Sequence, residues 1–337
     1  MSVIGCFFLL SNVTASAKTI TLNYSDQNGD MSWGTTHATK PWIKKIEEAT
    51  KGRVKIQAYY SQTLTKGKDA WSTVKSGIAD MAWCFHGYWP NMTPLADVVS
   101  LPAMPFRSAE KASEVLWKLY EQFPQIREEF ADNKVLQLWT TDPYLLITTK
   151  KHVKTLEDLK GLKTRMTGGP PTDMMKALGG IPMLIPMPDN YISLQKGVID
   201  GMGTPWEAFL SWRFYEVVKY VTTNTPFPCV YFSLSMNKNK WNSLPKDIQD
   251  AIMSVSGLEG SKFQGRNYFD TAKGEVIEKA KAQGYMLEYY NLPESERERW
   301  IEIGGKPLWE AWVKKMEKQG KKSAREILNA TLKLAKE

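Results

Sequence analysis

Two seven-residue segments, Val74–Asp80 (VKSGIAD) and Leu194–Asp200 (LQKGVID), repeat one pattern. Each is a helix end, a glycine, two small or apolar residues and an aspartate. A glycine there lets a helix end through left-handed backbone, which a Cβ makes costly. The aspartate then belongs to the next strand, near its beginning. Both copies fall at the same point of a strand–helix alternation. Ahead of the first, Thr19–Tyr24 reads as strand, Thr39–Thr50 as amphipathic helix, Val54–Tyr59 as strand and Lys66–Lys75 as helix, with Ala79–Trp83 as a short buried strand. Around the second, Leu162–Met166 reads as strand, Pro171–Leu178 as helix, Ile181–Ile185 as strand, Asp189–Lys196 as helix and Gly201–Thr204 as strand. Such an order demands parallel pairing with helices on the sheet faces. The chain therefore predicts two similar α/β lobes, and 337 residues exceed one typical domain.

Val135–Thr141 and Tyr144–Thr149 read as strands, and Val217–Thr223 and Val230–Asn237 as strands that can carry the chain back to the first lobe. Lobes joined by crossing strands enclose a cleft, with ligand at the carboxyl ends of the sheet strands. The expected bounds are 18–142 for lobe I, with later segments returning to it, and 143–228 for lobe II. Residues 229–337 supply a crossing strand, a long helix and C-terminal helices packing on both. Ser108 opens a helix reaching Asp132, and Leu244–Lys281 reads as mainly one long helix. The irregular stretch Cys84–Arg107 carries Phe85, Tyr88, Trp89 and Phe106. Long loops of this kind in compact domains are usually functional. Trp300, Trp309 and Trp312, at near-helical spacing, read as packing.

Residues 1–17 read as an export signal. Val3–Leu10 is apolar and uncharged, and Ala15-Ser16-Ala17 is a small-residue cleavage site before Lys18. The apolar run is too short to anchor in a bilayer. Val3-Ile4-Gly5-Cys6 also resembles a lipoprotein cleavage box, a weaker reading because no apolar segment precedes it. Cys84 and Cys229 can pair in an oxidising compartment, but two separate buried thiols are the favoured reading. With His37, His86 and His152 scattered, no metal-ligand spacing is present and no cofactor is expected. The net charge of +8 is dispersed, without the basic stripe and stacking aromatics of a nucleic-acid binder. No Gly-x-Ser-x-Gly elbow, phosphate loop or Cys-His set supports a secreted α/β enzyme.

Arg165 stands at the end of a strand, before Gly168-Gly169 and the helix opened by Pro170-Pro171. A strand-end arginine ahead of a glycine turn and helix start is well placed to hold a carboxylate, since its planar fork pairs both oxygens. The surplus of aromatics, 13 Trp, 14 Tyr and 12 Phe, suits a flat or sugar-like ligand.

The export signal, LEDLKGLKTR (Leu156–Arg165), PDNYISLQKGVIDG (Pro188–Gly201), RFYEVVKYVT (Arg213–Thr222) and MNKNKWNSLPKDIQDAI (Met236–Ile252) together resemble the periplasmic solute-binding proteins of TRAP transporters. The resemblance runs in order from Thr19 to Ala335. It implies a non-enzymatic, two-lobed periplasmic-binding-protein fold with crossing strands and a long helix spanning both lobes. It also implies cleft closure over an organic acid, delivery to membrane permease subunits, and Arg165 as the residue pairing the ligand carboxylate.

Departures from the commonest family pattern remove polarity from the expected pocket. Asp142–Leu146 lacks the further arginine seen in dicarboxylate and sialic acid binders, and Asp189 stands where a glutamate is usual. Thr204 replaces an asparagine that often touches the acid. Gly-x-Gly-Thr-Pro-Trp-Glu is closer to members resembling binders of aromatic or branched monocarboxylic and 2-keto acids. The candidate ligand residues are thus Arg165, Trp206, Tyr144, Trp83, Thr204, Phe232 and Trp33. Glu207 is a weak metal candidate, because some keto-acid members hold a cation beside the substrate; a helix-start carboxylate that stabilises the dipole is the preferred reading. The expected protein is exported, soluble and periplasmic. A C4-dicarboxylate binder and a ligand-binding sensor module are the alternatives.

Overall fold

The repeated segments adopt the same backbone twice. Gly77 and Gly197 both take left-handed conformations, with φ of +78° and +71°. Ile78 and Ala79 donate their N–H groups to the Thr73 carbonyl, and Val198 and Ile199 donate theirs to that of Ser193. Asp80 Oδ2 accepts the Asn23 N–H at 2.8 Å, and Asp200 Oδ2 accepts the Lys163 N–H at 2.9 Å. In both cases the aspartate stands just before the strand rather than within it. It takes an N–H immediately ahead of the point where the parallel ladder begins, at Tyr24 with Met81 and at Thr164 with Gly201.

The computed structural model describes residues 19–337; the expected export signal and the Cys6 lipidation reading lie outside the described residues. The strands are β1 (Ile20–Ser25), β2 (Val54–Tyr59), β3 (Met81–Phe85), β4 (Lys134–Thr140), β5 (Leu145–Thr148), β6 (Lys163–Arg165), β7 (Ile181–Met183), β8 (Gly201–Thr204), β9 (Tyr220–Thr223), β10 (Tyr231–Met236) and β11 (Glu288–Asn291). They form two sheets, ordered β2-β1-β3-β10-β4 and β11-β9-β5-β8-β6-β7. One strand in each runs against its neighbours: β10 between β3 and β4, and β5 between β8 and β9. Both are reached by crossing. The chain passes from β4 to β5 through residues 141–144 and returns from β9 to β10 through 224–230. The two crossings are bonded side by side, Thr141 N–H to Val230 O at 2.8 Å and Tyr144 N–H to Pro228 O at 3.3 Å. The α/β, two-lobed architecture with crossing strands is thus present.

Two helices differ from expectation. The Ser108–Asp132 segment is two helices, Ala109–Gln122 and Pro124–Glu129. Pro124 has no N–H to continue the first helix and its ring crowds the preceding turn. The Leu244–Lys281 segment first forms Lys246–Ser254 and breaks before Gly257, whose φ is +60°. From there Gly257–Gln264, a π-helical turn Gly265–Asp270 and Ala272–Ala282 follow one another as a spine. Its first part packs on the helix Ala109–Gln122 and on β4; its last packs on the helix Trp206–Ser211. The spine therefore touches both lobes.

The late tryptophans pack. Trp300 and Trp312 are buried, and the indole N–H groups of Trp309 and Trp312 donate to the Pro102 and Pro94 carbonyls. Cys84 and Cys229 are separate buried thiols.

Candidate functional site

Arg165 closes β6, paired with Met183 on one side and Met202 on the other. Its side chain is fully buried (0% exposed) and is the only buried lysine or arginine among the described residues. Nε donates to the Ile185 carbonyl at 3.2 Å, which orients the guanidinium. Nη1 and Nη2 make no hydrogen bond of good geometry to the described residues, and neither does the nearby buried Thr167 Oγ1, although the Tyr144 phenol stands close to both groups. A buried cation without an acceptor is expensive, and buried donors are almost always paired. The geometry calls for an anion with two oxygens.

Beside the arginine lies Tyr144, in the first crossing. Burial pushes its phenol well up, and the Arg165 guanidinium partly offsets this. Tyr144 also lines a narrow, partly open cavity of ≈ 30 Å³ between the lobes. Its walls are aromatic. Trp83 and Phe85 are two residues apart on β3 and so share a face. Phe232 on β10 lies in register with Phe85, which places its ring 4.6 Å from that of Trp83 and 5.1 Å from that of Phe85. Phe269, in the π-helical turn, stacks on Phe232 at 5.6 Å, and Tyr268 stands next to it. Lobe II contributes Met187, Pro205, Glu207, Ala208 and Trp212.

Of the residues expected from the sequence, Trp83, Phe232 and Tyr144 meet at this cavity, with Arg165 alongside. The others stand apart from its lining. Thr204 is fully buried at the end of β8, its hydroxyl turned to the Pro205 carbonyl. Trp206 faces away, against Phe209, Tyr289 and the Lys273 ammonium, and lines a neighbouring cleft with Phe106 and Asn224. Trp33 stacks on His37 at 3.6 Å and receives the Ser211 hydroxyl oxygen at its backbone N–H. Each of the three is held by its own element's docking rather than by the cleft.

Phe85, Tyr88, Tyr268, Phe269 and Gln27 carry no ligand-residue signal of their own in the sequence. Phe85 and Tyr88 sit in the aromatic-rich irregular stretch, which is the available signal. Tyr268 and Phe269 carry none, because they lie inside a helical pattern. Tyr88 bridges the lobes: its hydroxyl donates to Gln27 Oε1 at 2.9 Å and accepts the Met187 N–H at 3.0 Å. Nearby, Gly168 N–H donates to Gly87 O at 3.1 Å, and a Cβ on Gly168 would overlap Pro90. The lobes are thus closed on each other around the cavity. A second groove, lined by Asp97, Asp173, Lys176 and Lys315, runs along this seam but holds no buried cation.

Glu207 opens the helix Trp206–Ser211, yet it does more than face the helix dipole. Its carboxyl is buried and accepts the Ser211 hydroxyl and, at 3.4 Å, the Gly34 N–H from lobe I. Among the described residues no group of three His, Cys, Asp or Glu is placed to hold a metal ion.

Several buried acids titrate high. Burial raises Asp26 to about 6, Asp97 to about 7 and Glu207 to about 7. These groups bind protons more tightly folded than unfolded, where they titrate near 4. Their contribution to stability is therefore fully present below pH 4 and is lost as pH rises to 7. His86, lowered to about 3 by burial, works in the opposite sense up to pH 6.5 but is one group against three. The ligand-free protein is expected to melt at progressively lower temperature from pH 5 to pH 8. Scanning fluorimetry across that range checks this, and a melting temperature that rises over the window contradicts it.

Residues 28–317 match the sequence model of the family described as bacterial extracellular solute-binding protein, family 7. Three solved structures are similar. A TRAP solute-binding protein from Rhodoferax ferrireducens T118, in complex with copurified benzoate, is 29% identical with a TM-score of 0.88, covering 94% of this chain and 98% of that one. One from Bordetella bronchiseptica, with bound (R)- and (S)-mandelate, is 25% identical with a TM-score of 0.86, covering 94% and 99%. A marine metagenome TRAP solute-binding protein specific for aromatic acid ligands, co-crystallised with 3-hydroxybenzoate, is 26% identical with a TM-score of 0.88, covering 95% and 98%.

Proposed function

We propose that this chain, which belongs to family 7 of the bacterial extracellular solute-binding proteins, captures an aromatic or branched monocarboxylic or 2-keto acid for its permease. It is a TRAP solute-binding protein that binds small organic acids and works with membrane permease subunits. The family and the similar structures are transport proteins rather than enzymes, and we read this chain likewise as non-catalytic. No helix among the described residues is long and apolar enough to cross a membrane. We further propose residues 1–17 as the export signal and the periplasm as the location.

One observation carries the choice of ligand: both terminal nitrogens of the buried Arg165 lack a well-aligned acceptor, beside a cavity walled by Trp83, Phe85 and Phe232. A carboxylate on Arg165 and a flat or branched body among the rings would satisfy both. The benzoate, mandelate and 3-hydroxybenzoate held by the similar proteins have this shape. In this reading residues 18–142 and 143–228 form the two lobes, and Arg165 and Tyr144 hold the carboxylate. The ligand bridges the lobes and shifts the open–closed equilibrium toward closed.

A thermal-shift and calorimetric screen tests the proposal. Benzoate, mandelate, 3-hydroxybenzoate and a branched 2-keto acid are compared with succinate and fumarate. At a hundredfold excess over Kd, a true ligand stabilises by about 2.7 kcal/mol. Aromatic or branched monocarboxylates are expected to shift melting, and the dicarboxylates are not. A shift from dicarboxylates alone replaces this reading with that of a C4-dicarboxylate binder.

A further inference from the structure

The cavity is not apolar throughout. Its lining also includes Glu207, Gln27, Asn28 and Tyr268. Some polar atoms of the lining are already engaged, whereas Trp83 Nε1 has no partner among the described residues. The Asn28 amide donates to Asp26 Oδ1 at 2.8 Å, and Gln27 Oε1 accepts the Tyr88 hydroxyl. Glu207 differs. Its Oε1 takes both the Ser211 hydroxyl and the Gly34 N–H. Its Oε2 has no hydrogen-bond partner among the described residues, although the side chain is only 5% exposed. No cation among the described residues forms an ion pair with it. A buried carboxyl with one oxygen anchored and the other open to a ligand cavity is an unfilled polar position.

We propose that Glu207 is a specificity-determining residue that receives a hydroxyl group on the body of the bound acid, remote from the carboxylate held by Arg165. This deepens the reading above and rests on it. The ligand class becomes a hydroxyl-bearing aromatic or branched monocarboxylic acid. A hydroxyl is the group that suits this position best. It donates to Oε2 when Glu207 is ionised and accepts from it when Glu207 is protonated, so it pairs with either form. Asp26 and Glu207 together repel a second carboxylate at this position, which counts against dicarboxylates. A plain hydrocarbon body would leave Oε2 buried and unpaired, and sites built to bond a substrate hydroxyl reject the analogue lacking it.

Titration calorimetry compares benzoate with 3- and 4-hydroxybenzoate, and phenylacetate with its ring-hydroxylated forms. The full-length mature protein is used at pH 8, in sodium-free buffer with EDTA. Wild type is expected to favour the best hydroxylated acid over its parent by roughly tenfold or more, as for a hydrogen bond to a charged acceptor. Glu207→Leu is expected to bring that ratio to one or below by weakening the hydroxylated acid and sparing the parent. Glu207→Gln, with the same shape and an amide in place of the acid, is the folding-safe variant and is expected to narrow the ratio. Ligand-free melting reports whether each variant folds.

A wild-type protein that binds parent and hydroxylated acids equally overturns the role of Glu207 while leaving Arg165 and the carboxylate reading intact. So does a preference that survives unchanged in both variants, or one that appears only when sodium or calcium is restored. If no aromatic or branched acid binds wild type, the reading of the cleft fails first and this proposal falls with it.

Discussion

Arg165→Met is expected to abolish ligand binding and, in the same protein, to raise the melting temperature of the ligand-free form. The two effects share one cause. The guanidinium is fully buried and neither terminal nitrogen makes a good hydrogen bond to the protein. Methionine fills a similar volume without a charge to desolvate, and replacing buried charges by apolar residues is often neutral or stabilising by about 1–4 kcal/mol. With ligand present the sign reverses. A carboxylate brought into the same place would find no counter-charge, at a cost of about 3–5 kcal/mol. A micromolar complex is worth about 8 kcal/mol in total, so Kd rises at least a hundredfold and passes into the millimolar range. Parallel melting curves with and without ligand check both halves. Retained binding by Arg165→Met removes Arg165 from its role. A lower ligand-free melting temperature shows instead that the arginine is structural.

Phe232→Ala is expected to be the most damaging single truncation at the cavity. The ring is 6% exposed and packs against Trp83, Phe85, Trp139 and Phe269, with centroids 4.6 to 5.6 Å away. It belongs to the strand that sits between β3 and β4, so little around it can collapse to fill the gap. Removal of a buried phenylalanine costs about 3–5 kcal/mol. A lower denaturation midpoint at unchanged slope reads this out. Because the ring also forms the cavity wall, affinity for aromatic acids falls with it. Trp206→Ala is the informative contrast. Its ring packs against Tyr289 and Phe209 outside the cavity lining, so stability declines while the ligand-induced shift persists. Lost binding in Trp206→Ala with intact folding would return Trp206 to the site.

Much of this is legible in the sequence. The glycine of each repeated segment requires left-handed backbone, so the helix-to-strand turns at Gly77 and Gly197 could be read locally. The strand–helix alternation around them specified parallel sheets. Arg165 was legible for a similar reason, since a strand end and a glycine turn are short-range signals. The breaks at Phe123–Pro124 and before Gly257 show where periodicity misleads. A 3.6-residue pattern of apolar residues continued past both points, but backbone chemistry decided the helix ends.

The aromatic site was only half legible. Trp83 and Phe232 come from strands whose alternation selects a face. Tyr268 and Phe269 come from a helical stretch that reads as ordinary core, and only the π-helical turn brings them beside the strands. Trp206, Thr204 and Trp33 stand near the cavity along the chain yet point elsewhere. Chain proximity is settled by covalent geometry, whereas side-chain direction depends on how each element docks.

By itself the sequence determined two α/β lobes, their crossing strands and a cationic strand end at the cleft, because these follow from local backbone preferences and short-range pattern. Only the tertiary structure decided that the terminal nitrogens of the cationic end make no hydrogen bond to the protein, that seven aromatic rings from five separated segments line one cavity, and that Glu207 keeps an open oxygen there. Those properties depend on what is missing around a buried group as much as on what is present. An absence of partners exists only once all neighbouring elements have been packed.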